Sequence, residues 1–365
     1  MADAEWKKAP SSNAVVDITA NLPTQQFESA ISEEFEQYMV LRKRSHAINC
    51  VICAQTVYFC TVLNQVREKK EDLQHLNRNR ATRLLMEGIE RDPLLVGIIG
   101  GGRLGCHIAN ALIKFGGVKP AELSISTRRP ETLSKLQAKG VKCYYDNAKL
   151  VQSVHLIFLC VLPAQLQLVI DDIKGKLTKK TVLYSLVPAA HITRLRQLLN
   201  FQFIIKPDIV WNYDGEDNWD YSLGFDEVFE KESLVKQTCP LGNAKKSSMV
   251  QCDSKLAEIF IYAVVNICTQ FKICRRDTLR MVHDVIFDLT DDIPLKLKAE
   301  HFTRMKEDDT SMPFPMFDLS LIAENDTPLT KKLSQVDIIH HYVKRYCALF
   351  EEHFYKAKWG QGTSQ

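Results

Sequence analysis

Short apolar runs recur through the middle of the chain, separated by stretches that suit helices. Five segments have the length and side chains of strands: residues 95–99, 123–127, 156–161, 181–186 and 203–206. Between the second and third of these, Pro130 suits a first helical turn and Gly140 suits the position just after a helix end. This β–α alternation predicts a doubly wound parallel sheet over residues 92–212.

The segment before this unit, residues 1–91, has a helical pattern. Four apolar residues recur at every fourth position: Phe27, Ile31, Phe35 and Met39. Residues 47–66 continue the pattern without a charge, and about twenty apolar residues suffice to span a membrane. Six polar side chains interrupt this run, each costly in hydrocarbon: Asn49, Gln55, Thr56, Thr61, Asn64 and Gln65. We therefore expect a helical N-terminal extension with a buried helix, and no membrane partner.

The segment after the unit, residues 213–365, is predicted to form a mainly helical C-terminal domain. Residues 256–271 are almost wholly apolar and too short to cross a membrane, which favours a buried helix. Near the end, one face of a helix is apolar: Ile339, Tyr342, Val343, Tyr346, Cys347, Phe350 and Phe354. These two helices carry more hydrophobic surface than one small helical layer covers, so we expect a homodimer formed through them.

The composition is that of an ordinary soluble globular protein, since 45% of the 365 residues are hydrophobic and 25% are charged. The net charge of +3 is too small to indicate nucleic-acid binding. The eleven cysteines are scattered, as in a reduced protein, and Cys50 and Cys53 share one helix face, so packing explains them without a metal. The first residues include acids and lack an apolar core, unlike a secretory signal, and we expect a cytoplasmic protein.

The first strand runs into a Gly-x-Gly-x-x-Gly turn formed by Gly100, Gly102 and Gly105. Between a strand and a helix, these glycines allow a tight turn, the close approach of a pyrophosphate and close helix–strand packing. Residues 106–114 suit the helix whose N-terminal N–H groups face the phosphates. The motif therefore predicts a Rossmann dinucleotide site, with cofactor contacts from the whole turn: Gly100, Gly101, Gly102, Arg103, Leu104 and Gly105.

The residues at the end of the second strand indicate which dinucleotide binds. An NAD site usually has Asp or Glu there to bind the ribose 2′-hydroxyl, whereas an arginine accommodates the 2′-phosphate of NADP. Here the strand ends in hydroxyl groups and arginines, namely Ser126, Thr127, Arg128 and Arg129, and Glu131 lies only in the next helix. We expect NADP, with the guanidinium of Arg128 on the phosphate. The alternative is a solvated basic turn.

Four stretches within residues 94–199 resemble the pyrroline-5-carboxylate reductase family: G-G-G-R-L-G, S-T-R-R-P-E, G-V-K followed by Asn147, and F-L-C-V-L-P. The resemblance implies that Arg128 lies on the family arginine that holds the NADP phosphate, and that Asn147 contacts the cofactor. It also implies that the last residues of the fourth stretch, Val161, Leu162 and Pro163, line the nicotinamide pocket.

The part of the family pattern that concerns the substrate is different in this chain. Leu162 stands where the family has a lysine, and Val187 and Pro188 replace two small residues of the following loop. The sequence has no counterpart of the Ser-Gly-x-Gly-Pro-Ala helix start that shapes the family's substrate pocket. The resemblance therefore implies cofactor binding, and proline biosynthesis does not follow from it.

We expect an NADPH-dependent oxidoreductase that transfers hydride to a small imine or carbonyl substrate. The candidate catalytic residues lie at or just after strand ends: Ser185, His191, Lys206 and Asp208. His191 could instead begin a helix, and Lys206 and Asp208 could form a simple ion pair. The alternative function is a non-catalytic NADP-binding protein that acts through its helical flanks, and a third is a membrane-associated protein anchored by residues 47–66.

Overall fold

The computed structural model describes the following part of the chain: residues 35, 38–76, 92–212, 219, 221, 223–241, 250–287, 297–303 and 311–359. The chain divides into two compact units, residues 1–45 and residues 46–365. All contacts described below lie within the second unit. The division expected from the sequence, with boundaries after residues 91 and 212, stays a prediction.

A long helix, α1 (Met39–Leu76), precedes a sheet of parallel strands in the order β3-β2-β1-β4-β5-β6. The strands are β1 Val96–Ile99, β2 Leu123–Ser126, β3 Lys142–Tyr144, β4 Leu156–Leu159, β5 Val182–Ser185 and β6 Ile204–Ile205. The helices between them are α2 Arg103–Phe115, α3 Ser134–Ala138, α4 Asn147–Ser153, α5 Leu166–Ile173 and α6 Ile192–Leu199. The predicted Rossmann fold is confirmed, and its strand order reverses between β1 and β4.

Each predicted strand segment contains a strand of the sheet, and all five of these strands are buried along their whole length. The sequence does not predict β3, because its residues are only partly buried and show no apolar run. This strand pairs with β2 from Ser124↔Lys142 to Ser126↔Tyr144 at the edge of the sheet. Its conformation therefore depends on a neighbouring strand rather than on its own side chains.

After β6 the chain is mainly helical, as predicted. A short antiparallel pair comes first, formed by β7 Ile209–Trp211 and β8 Val250–Cys252. The helices are α7 Phe225–Glu230, α8 Glu232–Thr238, α9 Lys255–Gln270, α10 Arg275–Val282, α11 Leu319–Glu324, α12 Pro328–Leu333 and α13 Val336–Trp359.

Helix α1 packs into the core between the sheet and the C-terminal helices. Phe59 stacks on Phe260 of α9 with ring centroids 4.5 Å apart, and it contacts Tyr184 of β5 at 6.1 Å. The segment Met39–Glu71 is long and apolar enough to span a membrane, but 83% of its most apolar part is buried inside the protein. The predicted buried helix is thus confirmed, and its apolar face is covered by the protein's own side chains.

The apolar faces of α9 and α13 are also covered within the chain. Tyr342 and Tyr346 of α13 are fully buried, and the ring of Tyr58 on α1 contacts both of them. The same ring lies 6.1 Å from Phe260 of α9. The predicted apolar stripe also includes Phe354, whose side chain lies outside the described residues. Helix α1 therefore covers the apolar faces of α9 and α13 that were the reason to expect a homodimer. The homodimer stays a prediction, and these faces no longer support it.

At the amino end of β4, His155 is held as a neutral imidazole. Its Nδ1 accepts a hydrogen bond of 3.1 Å from the backbone N–H of Leu95, and its Nε2 lies 3.5 Å from the guanidinium of Arg67. Burial, with a smaller contribution from the Arg67 charge, lowers the pKa of His155 from 6.5 to about 4. Between these pH values the unfolded chain binds a proton that the folded chain excludes.

We therefore expect the free energy of unfolding to fall as the pH is lowered from 6.5 toward about 4. Urea titrations at about pH 7 and about pH 5 measure this change. In His155→Gln the decrease should be smaller, because the amide can keep an acceptor for Leu95 and does not titrate. In the control His340→Gln, which alters an exposed residue, the decrease in the free energy of unfolding should match that of the wild type. An undiminished decrease in His155→Gln would contradict the assignment.

Candidate dinucleotide site

The glycine turn lies at the carboxyl end of β1, directly before α2. Gly100 has a φ of +108°, in the left-handed region that favours glycine, and its N–H donates to the carbonyl oxygen of Ser126 at the end of β2. A Cβ on Gly105 would lie 2.1 Å from the carbonyl oxygen of Gly100. The fold itself therefore requires glycine at both positions, for the turn and for the packing of α2 against it.

Gly102 differs from these two glycines, because a Cβ added there would meet no protein atom within 4 Å. Its φ of −78° is open to any residue, so the fold does not require glycine at this position. Gly102 is the N-cap of α2, and neither a side-chain cap nor an acidic residue occupies the first turn of this helix. The free N–H groups and the helix dipole at this end favour an anion, and glycine leaves the approach open.

The crevice beside this turn is formed by the residues that follow β4. The N–H of Cys160 donates to the carbonyl oxygen of Ile99 at 2.8 Å, which brings the end of β4 against the glycine turn. A Cβ on Gly100 would lie 3.1 Å from Cγ1 of Val161. Leu162 follows with 65% of its surface exposed, and Pro163 begins a short 3-10 turn. Residues 161–163 thus lie at the point where the strand order reverses, which is where open α/β sheets bind ligands.

At the end of β2, Ser126 has a different role from the predicted one. Its side chain is 1% exposed, and its hydroxyl donates to the carbonyl oxygen of Tyr145 at 3.2 Å and to Oδ1 of Asn147 at 2.6 Å. The Nδ2 of Asn147 in turn donates to Asp172 on α5 at 2.9 Å. Ser126 therefore positions Asn147 and is not an exposed donor to phosphate. Sequence reasoning missed Asp172, because a contact between distant helices leaves no local pattern.

The next residues along the chain form a partly exposed, basic surface just beyond β2. The backbone N–H of Thr127 donates to Tyr144, and the side chain of Thr127 lies against Gly101. The side chains of Arg128 and Arg129 are exposed, and among the described residues neither forms a hydrogen bond or an ion pair. Both guanidinium groups are therefore available to an anion from solution.

The remaining two residues of the turn begin α2. Arg103 is exposed, whereas Leu104 is partly buried and packs against the core. The charge of Arg103 adds to burial in lowering the pKa of His107, one turn further along the helix. The exposed guanidinium at this helix start adds positive charge beside the free N–H groups of the turn.

The structure does not join the four candidate catalytic residues to one another by hydrogen bonds or ion pairs in its described part. Ser185 ends β5, is 1% exposed, and its hydroxyl has no hydrogen-bond partner in this part of the chain. Lys206 follows β6, which pairs with β5 as far as Tyr184↔Ile205, so Ser185 and Lys206 each stand one residue beyond the last paired positions. Both thus lie at the carboxyl edge of the sheet.

His191 and Asp208 have structural contacts. The imidazole of His191 is the N-cap of α6, lies 2.9 Å from Oγ1 of Thr193 and faces the carboxylate of Glu324 at 3.8 Å. This bears out the alternative that His191 begins a helix. The carbonyl oxygen of Asp208 accepts a hydrogen bond from the N–H of Asp253 beside β8. No ion pair joins Asp208 to Lys206 in the described residues, so that alternative is wrong.

Comparisons with known proteins agree with this geometry. Residues 95–188 match the protein family described as "NADP oxidoreductase coenzyme F420-dependent". "NADP-dependent oxidoreductase domain-containing protein 1" of Mus musculus is 28% identical over 353 residues, covering 92% of this chain and 94% of that protein. "Pyrroline-5-carboxylate reductase 3" of Danio rerio is 31% identical over 104 residues, 28% of this chain and 36% of that protein.

Among solved structures, a pyrroline-5-carboxylate reductase from Coxiella burnetii aligns over 72% of this chain and 98% of its own, with 16% identity and a TM-score of 0.29. The predicted resemblance to pyrroline-5-carboxylate reductases is confirmed in sequence, over a segment of 104 residues. The similarity to the mouse protein extends beyond the sheet into the flanking segments, because it covers 92% of the chain.

Proposed function

We propose that this chain is an NADP-dependent oxidoreductase whose cofactor lies across the carboxyl edge of the sheet. The observation that carries the proposal is the open space at Gly102, directly before the uncapped start of α2. A ligand that approaches the helix start gives a reason for glycine at this position, and a pyrophosphate matches the free N–H groups there. The match of residues 95–188 to the family described as "NADP oxidoreductase coenzyme F420-dependent" supports a nicotinamide cofactor at this site.

The exposed arginines after β2 support NADP rather than NAD. The guanidinium groups of Arg128 and Arg129 have no partner among the described residues, and two such groups suit the 2′-phosphate. The carboxylate closest to this strand end by hydrogen bonding is Asp172, which accepts from Asn147. That interaction fixes the orientation of the Asn147 amide. Asp172 lies on α5, so it is not the acidic residue that an NAD site usually has at the end of this strand.

A nicotinamide held beside Val161 and Leu162 would supply hydride to a small substrate with a carbon–nitrogen or carbon–oxygen double bond. The exposed Leu162 offers an apolar wall to that substrate. Ser185, at the end of β5, is buried and carries a hydroxyl without a partner in the described residues, so we assign it to a polar contact with substrate or cofactor. Lys206, at the same edge, provides a positive charge.

A non-catalytic NADP-binding protein is the second candidate. Two observations favour it. The imidazole of His191 caps α6, and no hydrogen bond joins the four candidate catalytic residues to one another in the described part of the chain. In that case the chain binds the dinucleotide with the same turn and acts through its helical flanks. A cytoplasmic location and a homodimer remain part of both proposals, to be tested by cell fractionation and light scattering.

The loss of NADPH absorbance in the presence of cyclic imines and small carbonyl compounds tests the proposed function. We expect steady NADPH consumption by the wild type and none above background by Gly102→Val. NADPH binding without turnover across the panel would favour the second candidate. Failure of the folded wild type to bind NADPH at all would contradict both.

A further inference from the structure

Two exposed apolar side chains lie near the loop that joins β3 to α4. Tyr145 follows β3 directly, Leu168 lies on α5, and each is 70% exposed. In the described part of the chain the Tyr145 ring contacts no other aromatic ring, and its hydroxyl forms no hydrogen bond. Single exposed apolar residues are common on protein surfaces, whereas apolar residues grouped beside a crevice are typical of a ligand site.

The backbone of Tyr145 is held beside the end of β2. Ser126 and Tyr144 are the last registered pair of β2 and β3, and just beyond them the N–H of Thr127 donates to the carbonyl oxygen of Tyr144 at 3.0 Å. The hydroxyl of Ser126 donates to the carbonyl oxygen of Tyr145 at 3.2 Å. Tyr145 therefore lies next to Thr127 at the carboxyl edge of the sheet, one position before Arg128.

Leu168 lies beyond the same edge of the sheet. Asn147, the first residue of α4, donates from its Nδ2 to Asp172 of α5 at 2.9 Å, so the end of α5 is level with the start of α4. Leu168 precedes Asp172 by four residues, which places it one turn earlier on the same face of the helix. Because α5 starts beyond the carboxyl end of β4, this earlier turn lies farther out than Asn147, on the face of α5 that is turned toward α4.

The arginines after β2 limit where the base of a bound dinucleotide can lie. In NADP the 2′-phosphate and the adenine are attached to neighbouring carbons of one ribose. A phosphate on Arg128 therefore brings the adenine to the carboxyl ends of β2 and β3, where Tyr145 follows β3. Adenine is neutral, so a site for it needs no excess of charge. It needs apolar surface for its two faces, and an aromatic ring provides such a surface by stacking.

We propose that Tyr145 and Leu168 form the two walls of a slot that holds the adenine ring of the dinucleotide. The inference rests on the proposed function, because the adenosine reaches this edge only if the cofactor binds the glycine turn. The Tyr145 ring stacks on one face of the base, and Leu168 covers the other face. The loop between them is kept in place by the hydrogen bonds from Ser126 to Asn147 and from Asn147 to Asp172.

Calorimetric titration of wild type and Tyr145→Ala with NADPH and with NADH tests the slot. We expect the variant to lose about 5- to 100-fold in affinity, by the same factor for both nucleotides, because both carry adenine. Adenosine 2′,5′-bisphosphate, which lacks the nicotinamide, should lose affinity by that factor as well. A loss for NADPH alone would assign Tyr145 to the 2′-phosphate and overturn the proposal.

Three further variants separate stacking from a change in the loop. Tyr145→Phe keeps the ring and should bind both nucleotides as the wild type does, because the hydroxyl has no partner in the described residues. Leu168→Ala should weaken NADPH binding by about threefold or more. The control Leu321→Ala alters an exposed leucine on α11 and should leave NADPH binding unchanged.

The outcomes distinguish the slot from the proposed function. NADPH binding by the wild type with unchanged affinity in Tyr145→Ala would overturn the slot and leave the proposed function standing. Equal losses in Tyr145→Phe and Tyr145→Ala would also overturn the slot, since stacking needs only the ring. Failure of the folded wild type to bind either nucleotide would contradict the proposed function together with the slot.

Discussion

Replacing Gly102 with valine is expected to abolish NADPH binding while the protein stays folded. A Cβ at this position meets no protein atom within 4 Å, and the backbone has a φ that valine adopts without strain. The added side chain would occupy the space in front of the α2 N–H groups and displace the pyrophosphate. Losing two hydrogen bonds to a charged group, at about 1.5–3 kcal/mol each, corresponds to a loss of more than about a hundredfold in affinity.

Gly224→Val is the matched control for this variant. Gly224 is also the N-cap of a helix, α7, has a φ of −69°, and an added Cβ would meet only Glu227 at 3.9 Å. This variant should bind NADPH as the wild type does. A second comparison is Gly105→Ala, which should destabilise the fold because its Cβ would collide with the Gly100 carbonyl oxygen at 2.1 Å. Retained NADPH affinity in folded Gly102→Val would refute the assignment of the turn.

Removal of the Arg128 guanidinium is expected to weaken NADPH binding by about ten- to a hundredfold and to leave NADH binding nearly unchanged. The side chain is exposed and has no hydrogen bond or ion pair among the described residues, so Arg128→Ala should not disturb the fold. Only NADPH carries the 2′-phosphate, a dianion that a guanidinium fork binds well. Calorimetric titration with each nucleotide at one salt concentration measures the difference.

Arg129 stands beside Arg128 and should compensate in part, so the double variant should lose more affinity for NADPH than Arg128→Ala. Arg276→Ala is the charge-matched control, since Arg276 is an exposed arginine on α10, far from the sheet in sequence. Equal losses for NADH and NADPH in Arg128→Ala would mean that this residue supports the pyrophosphate or the fold. Tighter binding of NADH than NADPH by the wild type would contradict the choice of NADP.

The central sheet could be predicted because its sequence signals are local. Strands β1, β2, β4 and β5 are each buried over all four residues, and the Gly100–Gly105 turn lies where a strand meets a helix. Each such signal needs only a short stretch of chain to be read. Strand β3 has no such signal, since its conformation comes from pairing with β2.

The parts that could not be predicted depend on contacts between distant segments. The pattern of α1 indicates a buried helix, but only the structure shows that Tyr58 of this helix meets α13 and so covers the face expected to form a dimer. The hydroxyl of Ser126 looks like a phosphate donor until Asn147 and Asp172 are seen to share its network. The spacing of apolar residues along a helix shows which face is apolar. It does not show which other element of the fold covers that face.

A crystal structure of this chain with NADPH tests the central claim most directly. We predict that the pyrophosphate lies within hydrogen-bond distance of the first N–H groups of α2, over the open side of Gly102, and that the 2′-phosphate contacts Arg128. The nicotinamide should then lie beside Val161 and Leu162, with Ser185 at the same edge of the sheet. NADPH bound away from the carboxyl edge, or a pyrophosphate that does not approach α2, would contradict the account.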